Sequence, residues 1–342
     1  MAEQSLSTIV NSNHIDVAIT AWIDSKTRHS GSQKTRKAYE ETLFAFRNLL
    51  WQTGRELDPY LNTHGDLSEA ACRQAITEVA LAAQGFAGLS VKEKVVAEAT
   101  YNQRLAILSS FYTFANKRHF LTCGNPISLV ERTRVQSYKN AQPLETQDVA
   151  QRMQAIDRTT KLGARDYALL AILLQTGRRL SEVIDLRWRN VLVQGSRMTL
   201  TFEHCKGGKT MRDTVPTPVA NALLEWMVMA YGRNLRGLHG DSPIWISFTR
   251  KSEKEDSIPG VVPPPLTIRS VANICEKRLG VSKVHVTRHT WARTMEDAGA
   301  KVSDIQARLG HESLATTGRY LAALKQADNK HADTLASLFG LA

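Results

Sequence analysis

Four short segments in the second half of the chain gather side chains that could do chemistry. TGRRLSEVIDLRW holds Arg178 and Arg179 with Ser181 and Glu182 close behind; CKGGKTMRDTVP sets Lys206 and Lys209 around two glycines. HVTRHTWART carries His285, Arg288 and His289, and LGHESLATTGRY places Tyr320 nine residues after His311. Arginine offers a planar fork of donors that fits an oxyanion, histidine exchanges protons near neutral pH, and lysine can supply one. A phenol with a pKa of about 10 attacks only when a base or a strongly cationic pocket favours its anion. These residue types suit attack on a centre that gains negative charge. Taken singly, each has a plainer reading: an arginine paired with Glu182, solvated hairpin lysines, a capping or core histidine, a half-buried packing tyrosine.

The elements that must position them are legible from period and punctuation. Residues 15 to 130 read as helices only. Tyr39, Leu43, Phe46 and Leu50 step at helical spacing, as do Leu105, Leu108, Tyr112 and Ala115, with further helical patterns at about 14 to 27 and 67 to 83. From Glu131 to Pro143 the period is lost and the chain turns basic and polar, which reads as an interdomain linker. Beyond it, a helix from about Glu145 and a nearly all-apolar, hence buried, helix over Tyr167 to Leu174 lead into Gly177, a helix stop. Residues 191 to 216 switch to a strand period broken by Gly195-Ser196 and Gly207-Gly208, which predicts a three-stranded antiparallel meander. The remainder reads as helical apart from an exposed, proline-rich loop near 251 to 265. Gly318, a poor helix former just before Tyr320, suggests a flexible approach to that tyrosine.

Bulk properties narrow the partners. With 342 residues, two ordinary domains are expected, and no apolar run reaches the roughly 18 residues of a membrane span. No secretory signal opens the chain, so residence in the cytoplasm, associated with the nucleoid, is expected, with no membrane partner. Four cysteines lack metal-ligand spacing, and the His285/His289 pair lacks a carboxylate at zincin spacing, so no metal or cofactor is implied. The net charge of +11 favours a polyanion. Residues 1 to 140 hold 16 basic against 13 acidic side chains, net +3, which leaves +8 for the rest.

Taken in order, the four segments resemble the signature of the tyrosine recombinase family of phage integrases and Xer-like enzymes: an arginine after a TG-x turn, a hairpin lysine, a His-x-x-Arg box, a Leu-Gly-His box and a tyrosine nine residues on. The resemblance spans about residues 15 to 325, because TRKAYEETLFAF and TYNQRLAILSSFYTFANKRHFLTCGNP look like the helices that precede the catalytic domain in that family. It implies an α+β chain in which a helical, SAM-like core-binding domain (14–130) and a linker (131–143) precede a mostly helical catalytic domain with a small antiparallel sheet (144–342), the DNA breaking-rejoining fold.

Carried over by resemblance, Arg179 and Arg288 grip the scissile phosphate, Glu182 supports Arg179, and His311 donates a further hydrogen bond. Tyr320 is the nucleophile, His285 takes its proton, and Lys206, with Lys209 as the competing choice, protonates the leaving 5′ oxygen. His289 is taken as the structural member of its pair. The family works without metal or ATP, as homo-tetramers on double-stranded DNA with paired inverted sites, through a Holliday junction and in some cases with accessory proteins. About 14 residues precede the first periodic helix, too few for an arm-binding domain, which favours a simpler recombinase. Leu335, Leu338 and Phe339 near the C-terminus suit docking on a neighbouring subunit or on their own domain. Type IB topoisomerases and telomere resolvases share the arginine, histidine and tyrosine chemistry, and a DNA-binding regulator that has lost turnover is the non-enzyme rival.

Overall fold

The computed structural model describes residues 2–28, 33–90, 95–135, 142–195, 197–205, 208–248, 264–310 and 314–324, without the side chains of 2–13, 204, 316, 319 and 323. Lys206, His311, linker residues 136–141, the proline-rich loop as far as 263 and the C-terminal tail from 325 therefore lie outside the described residues. The chain divides into two compact units, Met1–Gln136 and Ser137–Ala342.

The first unit is a helical bundle: α1 (Ala2–Thr27), α2 (Gln33–Gln52), α3 (Glu69–Gly88) and α4 (Glu98–Lys117). Its core is aromatic, with Trp22, Phe46, Phe111 and Tyr112 all buried. Polar tips inside that core find partners, as burial requires. The Tyr112 hydroxyl donates to Leu57 O at 2.8 Å, and Trp22 Nε1 donates to Ser110 Oγ at 3.3 Å. Ser68 caps α3 by accepting from the amide of Ala71. α1 starts well before the first apolar turn that the sequence pattern marks.

The second unit is α+β. α5 (Thr146–Gln154) and α6 (Lys161–Thr176) lead to α7 (Leu180–Ile184), followed by strands β1 (Val191–Gln194), β2 (Arg197–Cys205) and β3 (Lys209–Val215). The strands form one antiparallel sheet in sequence order, with Val191 opposite Leu200 and Leu200 opposite Asp213. α8 (Thr217–Tyr231), α9 (Ile268–Leu279), α10 (His285–Asp297), α11 (Val302–Leu309) and α12 (Leu314–Leu324) complete it.

Leu169 and Leu173 of α6, Phe202 of β2 and Trp226 of α8 share the main core. A satellite core of Trp291, Ile305, Leu309, Tyr320 and Leu324 joins α10, α11 and α12. Thr160 caps the start of α6 by accepting from Gly163 N at 3.0 Å, and Gly177 ends the helix in the left-handed region at φ +61°.

Gly318 lies inside α12, which runs from Leu314 to Leu324. Burial of Tyr320, Leu321 and Leu324 supplies what the glycine lacks in helix propensity, a deficit of only about 1 kcal/mol.

Candidate active site

The site is built where α6 ends, α10 begins and α12 packs across them. Helical spacing puts His285, Arg288 and His289 on one face of α10. Arg288 is buried, and its fork is fully oriented: Nη1 donates to Gly177 O and Nη2 to Leu309 O, each at 2.9 Å. Both acceptors sit at helix C-termini, where carbonyls lack intrahelical donors and the helix dipole favours a cation. One guanidinium thus joins the turn after α6 to the end of α11.

That turn presents two arginines with different fates. Arg178 points inward, its Nε donating to Asp213 Oδ2 at 2.6 Å. Arg179 starts α7 and keeps 26% of its side chain exposed. Glu182 holds it twice, accepting from the Arg179 backbone amide at 3.1 Å and from Nη1 at 3.0 Å. The adjacent pair is therefore divided, with Arg179 facing outward on a buried carboxylate brace.

Tyr320 is 3% exposed. Its hydroxyl shares a 2.7 Å hydrogen bond with Nδ1 of His289, and Arg288 O lies 3.4 Å away. His289 in turn packs edge-on against His285, with ring centroids 5.1 Å apart. The ring that meets the tyrosine is thus His289, which the sequence assigns to structure, while His285 lies one turn away on the same face. Only the packing of α12 against α10 decides this; the i, i+4 spacing of the two histidines was the available signal.

Electrostatics report the same convergence. Burial, then Arg179, lowers the Arg288 pKa to about 10, and burial, then Arg288 and Arg179, lowers that of His285. His289 falls to about 4 through burial, then His285 and Arg288. Burial and neighbouring positive charge disfavour the protonated forms of Arg288, His285 and His289, a cluster that a nearby anion would relieve. Arg179, Glu182, His285, Arg288 and Tyr320 are brought together; Lys206, next after β2, and His311, two residues past α11, are not among the described residues. Among the described residues no group of three or more His, Cys, Asp or Glu is placed to hold a metal ion.

Comparison with known proteins gives a consistent picture. The model of the phage integrase family matches residues 143–327. The chain is 27% identical over 247 residues to the tyrosine recombinase XerC of Syntrophus aciditrophicus (strain SB), covering 70% of this chain and 74% of that one. It is 28% identical over 298 residues to XerC of Xanthomonas axonopodis pv. citri (strain 306), covering 84% and 86%. Among solved structures, a lambda integrase dimer bound to a COC′ core site has a similar fold, with a TM-score of 0.55, 16% identity and coverage of 95% of this chain and 83% of that one. The XerH recombinase in a post-cleavage complex with difH DNA has a TM-score of 0.54 at 17% identity, covering 76% and 70%.

Proposed function

The chain belongs to the phage integrase family, and from that premise we propose that it is a site-specific recombinase that cuts and rejoins duplex DNA through a 3′-phosphotyrosyl bond at Tyr320. The observation that carries this reading is the convergence of Tyr320, hydrogen-bonded to His289, with the buried Arg288, with Arg179 and with His285. The recombinase names of the XerC relatives support it.

In the step proposed, the phenolic oxygen attacks phosphorus, and the bond from phosphorus to the 5′ oxygen breaks. Negative charge grows on the non-bridging oxygens, where the forked donors of Arg179 and Arg288 stabilise it more strongly than in the ground state. His289 gives the hydroxyl a fixed partner, and we assign its proton to His285, one turn earlier on the same face. The departing 5′ oxygen takes a proton from Lys206, and His311 adds a hydrogen bond to the phosphate. The phosphotyrosyl bond keeps the energy of the link that was cut, so the 5′ hydroxyl of a partner strand can reverse the step without ATP. We assign the complete reaction to a homo-tetramer on two paired inverted sites, exchanging strands through a Holliday junction.

Nicked duplexes cut from the genomic DNA that flanks the gene test the reading, because loss of the short 5′ fragment traps the adduct. The full chain should give a protein–DNA complex that survives denaturation, and Tyr320→Phe should give none. Equal complexes from both proteins overturn the assignment.

A further inference from the structure

β3 carries a charge on the face where a core residue belongs. Along the strand Met211, Asp213 and Val215 turn inward while Thr210, Arg212 and Thr214 face solvent, and Asp213 is 3% exposed. A carboxylate there has lost its hydration, a cost that only well-placed partners offset. Asp213 has two such partners. Oδ2 accepts from Arg178 Nε at 2.6 Å, and Oδ1 faces Arg308 Nη2 at 3.4 Å. Arg178 is as buried as Asp213, and its guanidinium lies 5.4 Å from the centre of the Phe202 ring, so it serves the interior.

These partners are the sequence neighbours of the groups that Arg288 holds. Arg288 spans Gly177 O and Leu309 O; Asp213 spans the side chains of Arg178 and Arg308. Two charged rungs therefore join the same two chain segments at consecutive residues. The first rung alone would leave a pivot about Arg288. The second fixes the orientation and adds β3, the strand that follows the connection containing Lys206.

We propose that Asp213 is a positioning residue for strand cleavage, holding the turn that presents Arg179 and the end of α11 in register on either side of Arg288. The inference rests on the recombinase reading, because it takes Arg179 and Arg288 as the groups that grip the phosphate. An ion pair that served only packing would sit anywhere in the core; this one duplicates the linkage made by Arg288, a buried cation of the site.

Three variants of the full chain separate the two roles. Asp213→Asn removes the negative charge from both arms and leaves a single accepting oxygen. Arg308→Gln breaks only the partly exposed arm and leaves the core intact, since that side chain is 36% exposed. Because a lone buried Arg178 can prevent folding, the double replacement Arg178→Met with Asp213→Leu fills the same space with apolar atoms, a change that folds tolerate well.

In the free protein, amide hydrogen exchange should speed up together at residues 177–180 and 305–310 in all three. At saturating nicked duplex from the flanking genomic DNA, adduct formation should slow roughly 100-fold, the penalty of a displacement of about 1 Å, with DNA affinity retained. A double variant that melts like the parent and also cleaves like it assigns Asp213 to packing alone and overturns the proposal, as does exchange unchanged in either segment. A parent chain that forms no adduct refutes the recombinase reading instead, and the exchange data then decide alone whether the rung couples the two segments.

Discussion

At the scale of single residues, the burial of His289 beside Tyr320 has a pH consequence. The folded chain holds His289 at a pKa of about 4, against an ordinary value of 6.5, because burial and its cationic neighbours disfavour the imidazolium. Between those values the unfolded chain binds the proton more readily than the folded one, so the contribution to stability is complete above pH 6.5 and is lost as the pH falls toward 4. The full shift corresponds to a loss on the order of 3 kcal/mol, and His285, also lowered, acts in the same direction. Urea unfolding at a series of pH values should show a steep decline over that range in the parent chain and a shallower one in His289→Gln. Parallel curves would mean that His289 does not stay neutral against the phenol.

The same scale shows what sequence could and could not supply. The resemblance of the ordered motifs proposed Tyr320, Arg179, Arg288 and Glu182, each at an offset from a glycine or another candidate residue. It could not choose His289 over His285 as the partner of the hydroxyl, because both lie on one helix face and the choice is made by α12, 31 residues later. Nor could it explain Arg178. Its partner Asp213 is 35 residues away and announces itself only as an acid on the inward side of an alternating strand.

At the scale of elements, two glycines that look alike in sequence have opposite roles. Gly177 ends α6 at φ +61°, and a Cβ there would stand 2.4 Å from the Trp291 ring. Gly177→Ala therefore meets both backbone strain and a clash with a buried indole, and should destabilise the fold by roughly 2–4 kcal/mol. Gly318 lies mid-helix, and a Cβ added there would meet nothing within 4 Å among the described residues. Gly318→Ala should stabilise α12 by about 0.5–1 kcal/mol. Melting temperatures of the two variants check both signs; a neutral Gly177→Ala would contradict the close packing of the α6 turn on α10. Sequence identified Gly177 correctly as a stop, since αL helix ends favour glycine. Gly318, read as a loosening point, stands inside a helix, because propensity is a weak local preference beside the burial of Tyr320, Leu321 and Leu324.

At the scale of the whole molecule, helix and strand periods in the sequence anticipated four N-terminal helices, a three-stranded meander and a helical remainder, and the two units contain these elements. Period is legible because each element buries one face; the ionic rungs that assemble the pocket from segments more than a hundred residues apart have no period and become visible only in three dimensions. A net charge of +11 means that phosphate contacts should dominate affinity for DNA. Binding of the full chain to duplex from the flanking genomic DNA should weaken by about 10³-fold or more between 50 and 200 mM salt if six or more phosphates are neutralised. Fluorescence anisotropy measures this directly, and an affinity indifferent to salt would contradict a phosphate-led interface.

The most direct test of the central claim is the identity of the bond formed. Trapped protein–DNA complex, digested with trypsin and nuclease and sequenced by tandem mass spectrometry, should yield a peptide carrying a 3′-linked nucleotide on the hydroxyl of Tyr320. A nucleotide found on any other residue, or an adduct joined through the 5′ end of the DNA, would contradict it.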